Sequence, residues 1–235
     1  MSARENILAR IRAAQGKPPA PSPAECEQVR AYLAARALSP RPRAADDLMA
    51  CFRERALALS STFDDVETLA DAPRAVASYL RRNNLPSNAV CWPELLDLGW
   101  GATGMSVAAR AARDGDLVGI TGTFCAIAET GTLLMVSGPR SLATTSLLPE
   151  THIALVRTDR VVRGMEEAWQ LMRAEIGVPP RTVSFISGPS RTADIEQTVT
   201  LGAHGPYRVH IVLLHGEKAD LPGRIVGHNR VSESL

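Results

Sequence analysis

Apolar positions in residues 3–15 recur at helical spacing. Ile7, Leu8 and Ile11 stand between Arg4, Glu5, Arg10 and Arg12, which predicts a short amphipathic helix. Gly16 ends it, and Pro18-Pro19-Ala20-Pro21-Ser22-Pro23 predicts a semi-rigid extended linker. Helical segments follow at about 24–37 and 46–60, separated by Pro40 and Pro42. The pattern then predicts a strand at Thr62–Val66 and a helix from Pro73 to Asn83, with Pro73 in its first turn. A short strand at Ala89–Trp92 comes next, then a loop or helical stretch from Trp100 to Arg113. From Leu117 onward strands dominate. Leu117–Ile127 and Thr132–Val136 form neighbours joined tightly through Glu129-Thr130-Gly131. Ser141–Leu147 reads as helical, His152–Arg157 as a strand, Met165–Glu175 as a helix, and Thr182–Ile186 and Arg208–Leu214 as strands. Strands alternating with helices predict an α/β fold, a mostly parallel sheet flanked by helices, with one antiparallel hairpin. The expected division is an N-terminal helix and Pro-rich linker over residues 1–23 and an α/β domain over 24–235.

Composition narrows the function classes. Across 235 residues the net charge is +1 and aromatics are 4%, which argues against nucleic-acid and anionic-membrane binding. The opening residues mix charges and lack an apolar signal core, and no stretch reads as a membrane span, so a cytoplasmic protein is expected. Cys26, Cys51, Cys91 and Cys125 are scattered without a C-x-x-C pair, so buried free thiols are expected, and no metal or cofactor in this chain. His210 and His215 are an odd number apart and face opposite ways on a continuous strand. Neither a dinucleotide fingerprint nor a G-x-S-x-G nucleophile elbow occurs.

The most informative stretch is Ser187-Gly188-Pro189-Ser190-Arg191-Thr192-Ala193-Asp194, directly after a predicted strand. A Gly-Pro break, small hydroxyls, a short helical start and a fixed cation suit a phosphate or carboxylate. The same residues also suit a plain strand-to-helix connection capped by Ser190 or Thr192. Glu129 is the one charged residue between Leu117 and Pro139. Three roles are open to it: a site carboxylate, a hydrogen-bonded turn residue, or an exposed one. His204, within Gly202-Ala203-His204-Gly205-Pro206, is either a ligand-binding or proton-transfer residue or a hydrogen-bonded structural one.

Taken in order, Gly119-Ile120-Thr121-Gly122, Ala128-Glu129-Thr130-Gly131-Thr132, Leu148-Pro149-Glu150-Thr151-His152-Ile153, Ser187–Glu196 and Gly202–Pro206 resemble the LUD-domain family, in its lactate-utilization C-subunit branch. The opening helix Arg4–Arg12 is similar as well. The resemblance implies a fold like that of sugar-phosphate isomerases and CoA transferases, and a role in oxidising L-lactate to pyruvate beside sibling subunits that carry iron–sulfur clusters. It implies no mechanism for this chain. The expected function is therefore a subunit or accessory factor that binds a small anion through Gly188, Ser190, Arg191, Thr192, Asp194, Gly202 and Gly205, with homo-oligomerisation left open. The rival reading is a stand-alone isomerase or acyl transferase. There Glu129 serves as base or nucleophile, because Glu-x-Gly is similar to the setting of the CoA-transferase nucleophile, and His204 serves as acid.

Overall fold

The computed structural model describes residues 2–37, 40, 46–193 and 199–216. The chain divides into two compact units, Met1–Pro42 and Arg43–Leu235.

In the first unit, helices α1 (Ala3–Ala14) and α2 (Pro23–Ala35) start in the same way. Ser2 and Ser22 accept from the N–H of Glu5 and Glu25, and each glutamate accepts in return from its serine's N–H. Such reciprocal pairs satisfy amides that a helix start leaves open. The prolines between the helices, expected as a semi-rigid extended linker, are tied back to α1. Arg12 donates to the carbonyls of Pro18 at 2.6 Å and Ala20 at 3.2 Å, and meets Glu25 at 3.2 Å. Lys17 also reaches Glu25, at 3.2 Å. The Ser22 N–H, then Lys17 and Arg12, hold the Glu25 carboxyl down at about 2. Neither helix buries a residue, and Ile7, Leu8, Ile11, Val29, Tyr32 and Leu33 are exposed.

The second unit opens with α3 (Leu48–Ala58), β1 (Thr62–Val66), α4 (Ala72–Arg82), β2 (Asn88–Cys91), β3 (Ser106–Ala109), β4 (Val118–Thr121), β5 (Cys125–Ile127) and β6 (Thr132–Val136). It continues with α5 (Thr144–Leu147), β7 (Thr151–Arg157), β8 (Val161–Val162), α6 (Met165–Glu175), β9 (Val183–Ile186), β10 (Arg191–Thr192), β11 (Thr200–Leu201) and β12 (Arg208–Leu214). Six strands form a fully parallel main sheet in the order β1-β12-β7-β4-β2-β3. Its central strands β4 and β7 are buried almost end to end, as a parallel sheet covered on both faces requires.

A second sheet, β8-β5-β6-β9, is sorted by the two-residue period of its strands. Ala126, Leu133 and Met135 join the large core of the main sheet, while Cys125, Ile127, Leu134 and Val136 pack with Ala168 and Met172 of α6. The inner strands β5 and β6 of this sheet are accordingly buried on both faces.

Three local expectations are corrected. Leu117–Ile127 is two strands in different sheets, broken at Gly122–Phe124, rather than one. The stretch from Trp100 to Arg113 holds a short 3₁₀ turn at Trp100–Thr103 and then β3, an edge strand. The short helical start expected after Pro189 is instead β10, paired antiparallel with β11.

Candidate functional site

The connections that lead into the main-sheet strands gather most of the residues singled out in sequence. Ser190 donates its N–H to the Pro206 carbonyl at 2.9 Å, and Gly202 donates to the Ser190 carbonyl at 2.9 Å. The Ser190 side chain lies against Gly205. Gly188 has φ +75, and a side chain there would collide with the Leu59 carbonyl at the end of α3. Arg191 donates to that same carbonyl at 3.1 Å and to Ser60 Oγ at 2.8 Å. A cation at the carbonyl end of a helix complements its dipole. The guanidinium and two of the amides that the anion reading calls on are thus engaged within the fold. Thr192 is half-buried in β10, His204 is exposed, and Asp194 lies outside the described residues.

The Glu129 turn reaches the same helix from the other side. Gly131, at φ +64, leaves no room for a side chain against the Ala56 amide nitrogen of α3. Thr132 Oγ1 joins Thr130 Oγ1 at 2.8 Å and Ser187 Oγ at 2.7 Å, a chain of hydroxyls linking the two sequence motifs. Glu129 is half-buried and its N–H donates to the Arg163 carbonyl at 3.0 Å. Its carboxylate rests against Gly164, where a Cβ would stand 2.7 Å from Glu129 Oε2 and 3.2 Å from Glu167 Oε2. Glu129 therefore faces the start of α6, while Arg191 closes the end of α3. The motifs converge on α3 without bringing these two charges onto one ligand position.

The opposite edge, at the carboxyl ends of the strands, is where open parallel sheets seat their ligands. Beyond β2 the chain runs Trp92-Pro93-Glu94, with a 3₁₀ turn at Pro93–Leu95. The Glu94 side chain is 6% exposed, and its Oε2 has no hydrogen-bond partner. A buried polar atom left in that state costs about 1–3 kcal/mol. Burial pushes the Glu94 carboxyl up from its ordinary 4.5, partly opposed by Arg140, whose Nε stands 3.8 Å from Oε2, beyond hydrogen-bond reach. Arg140 is 67% exposed and sits on the turn Gly138–Ser141, closed by reciprocal backbone bonds of 3.2 Å. Trp92 Nε1 donates to the Leu142 carbonyl at 3.2 Å, fixing the indole beside that turn. Between the indole and the turn lies a small cleft of about 10 Å³, room for about one water, lined among others by Trp92, Ser137, Ser141, Ser146, Thr182 and Ser184. Sequence reasoning missed Glu94 and Arg140, because neither belongs to a motif. The available signal was a carboxylate just past a buried strand, Cys91-Trp92-Pro93-Glu94.

Residues 108–214 match the family model of the LUD domain. A lactate utilization protein C from an Exiguobacterium species is 41% identical over 101 residues, covering 42% of this chain and 44% of that protein. The Bacillus subtilis protein of the same name is 38% identical over 100 residues, 41% of this chain and 42% of the relative. A lactate utilization protein C of Deinococcus radiodurans is 29% identical over 185 residues, 74% of this chain and 83% of its own length. The stretch 108–214 carries the likeness to the LUD-domain family. In the Exiguobacterium and Bacillus relatives the matched stretch spans less than half of the protein's length. The crystal structure of a DUF162 family protein from Deinococcus radiodurans has the same fold, with a TM-score of 0.56 and 26% identity over 74% of this chain and 99% of that one.

The LUD domain as matched holds Glu129, Arg140, the Ser187–Thr192 segment and the Gly202–Gly205 loop, whereas Trp92 and Glu94 precede it. It also buries two histidines. His152 of β7 is wholly enclosed: Nε2 bonds Thr121 Oγ1 at 2.8 Å, Nδ1 has no partner, and burial pushes the ring down to about 4. His210 stacks on Tyr79 at 3.8 Å, with Nδ1 2.9 Å from Thr62 Oγ1 and Nε2 3.5 Å from Asp64, whereas His215 meets the next residue, Asp65, at 2.7 Å. All four cysteines are free, and burial pushes Cys91 and Cys125 up to about 12. Among the described residues, no group of three or more His, Cys, Asp or Glu is arranged to hold a metal ion, and no helix is long and apolar enough to cross a membrane.

Proposed function

We propose that this chain is a component of a bacterial L-lactate utilization system. In this reading it handles a small anionic ligand and leaves electron transfer to sibling subunits bearing iron–sulfur clusters. What carries the proposal is the family match over residues 108–214, which contains both motif loops, together with the likeness to proteins named lactate utilization protein C.

A strain deleted for its own lactate utilization protein C tests the reading. Complementation with this chain is expected to restore growth on L-lactate; failure, where the strain's own gene succeeds, overturns it. The purified chain is expected to be colourless and inactive as a lactate oxidase, and a flavin or cluster absorbance band in clean protein would contradict that. Incubation with an acyl-CoA followed by mass spectrometry separates this reading from an acyl transferase working through Glu129, which would leave a glutamyl adduct.

A further inference from the structure

We infer that the helix pair of the first unit docks on the same pair of a second copy of this chain, with α1 of one copy lying against α2 of the other. The pair has no core of its own. Ile7, Leu8 and Ile11 of α1 and Val29, Tyr32 and Leu33 of α2 are 48–76% exposed, and neither helix buries a residue. Each trio is spaced three and four residues apart, so it occupies a stripe about 100° wide on its helix. The two stripes also belong to one side of the pair. Arg12 stands four residues after Leu8, and Glu25 stands four before Val29. The ion pair that joins the helices, at 3.2 Å, is therefore in line with both stripes. The side chains beyond it stay open, so the unit presents a single apolar surface with two helical walls.

Size and charge select a second copy as the occupant. Six large apolar side chains with about half or more of their surface open present on the order of 500 Å². Two copies then bury about 1,000 Å² from these side chains alone, and their polar flanks bring the total to the roughly 1,200–2,000 Å² of a stable interface. Charge sets the arrangement. Along α1, Arg4, Arg10 and Arg12 outweigh Glu5, a surplus of two positive charges. Along α2, Glu25 and Glu27 outweigh Arg30, a surplus of one negative charge. A two-fold axis that sets each α1 beside the other copy's α2 brings opposite signs together twice, whereas α1 against α1 would repel. One surface that carries both halves of its own complement is what a two-fold interface requires. The surface is also set before pairing: reciprocal caps fix both helix starts, and Arg12 and Lys17 both hold Glu25 at the junction. Less ordering is then left for association to offset.

The inference is independent of the proposed function, and sedimentation of the purified full chain over a concentration series tests it. At tens of micromolar the chain is expected to sediment with twice the mass of one copy. Leu8→Gln combined with Leu33→Gln should raise the dimer dissociation constant at least tenfold; both positions are exposed, so the substitutions remove no buried packing. Charge reversal supplies a second measurement that a mere loss of helix would not reproduce. Arg4→Glu with Arg10→Glu should weaken the dimer severalfold, and adding Glu27→Arg should recover part of that loss. A parent chain that sediments as a single copy at tens of micromolar overturns the inference, whether its helices then rest on their own second unit or on another protein. It is equally overturned if the leucine pair leaves the dissociation constant unchanged, since the copies would then meet elsewhere. Weakening by Arg4→Glu with Arg10→Glu that Glu27→Arg deepens rather than relieves would overturn the pairing of α1 with α2.

Discussion

Glu94 and His152 are buried ionisable side chains, each with one atom lacking a hydrogen-bond partner, and they tie stability to pH in opposite directions. Burial raises the proton affinity of Glu94 above its ordinary 4.5, so the native state holds that proton more tightly than the unfolded chain does. Its contribution is therefore lost as pH rises from 4.5 through the raised value. Glu94→Gln removes that loss, and the variant should gain on the parent from pH 5 to pH 8 in paired thermal melts. His152 drops from 6.5 to about 4, so the native state binds fewer protons, and stability falls as pH falls through that window. At roughly 1.4 kcal/mol per tenfold change in proton affinity, this amounts to on the order of 3 kcal/mol. His210, lowered by burial as well, acts in the same direction. Urea midpoints should fall from pH 7 to pH 4.5, less steeply in His152→Gln, and a parent midpoint flat over that range would refute the assignment. Arg191 shows where a residue-level reading from sequence stops. Its type and its neighbours suit an anion, but its partners are Leu59 and Ser60, far away in sequence. Arg191→Ala should lower stability by about 1 kcal/mol in denaturant titration, because a helix-end contact is lost.

Among the elements, α3 is the one on which both motif loops close. Gly188 packs on Leu59 at its end, Gly131 on Ala56 one turn earlier, and Cys51 Sγ contacts the Ala128 carbonyl at 3.4 Å. Gly131→Ala combines an unfavourable left-handed backbone with a collision against helix backbone. It should cost about 2–4 kcal/mol in equilibrium unfolding. A cost below about 1 kcal/mol would mean that the hairpin can lift off α3. Most of the elements could be read from the chain, since β1, α6 and β12 have the boundaries that periodicity predicts. The elements that escaped are short or interrupted. β3 has a half-exposed Ser-Val-Ala-Ala sequence with little apolar signal, and the apolar run from Leu117 gives no sign that it changes sheets at Gly122.

In the whole molecule, every buried hydrophobic residue of the described chain lies at or beyond Phe52. Removing residues 1–42 should therefore leave a folded body whose melting temperature stays within about 5 °C of the full chain, the shift expected from no more than about 1–2 kcal/mol. A larger drop would give the first unit a stabilising role. The apolar side chains of α1 and α2 would then have to be counted with the core.

The sequence by itself determined the α/β class, most helix and strand positions and the family resemblance, because periodicity, Gly-Pro breaks and local motifs are properties of neighbouring residues. Only the tertiary structure decided which edge of the sheet each loop occupies. The Ser187–Thr192 segment lies at the amino edge because β9 runs antiparallel to β6 and delivers it onto α3. Glu94 and Arg140, 46 positions apart in the chain, meet at the carboxyl edge because β2 and the turn after β6 end side by side. Local sequence carries no record of such a meeting. Whether a charge is paired, buried or left exposed depends on strand order, and strand order is set by the packing of the whole sheet.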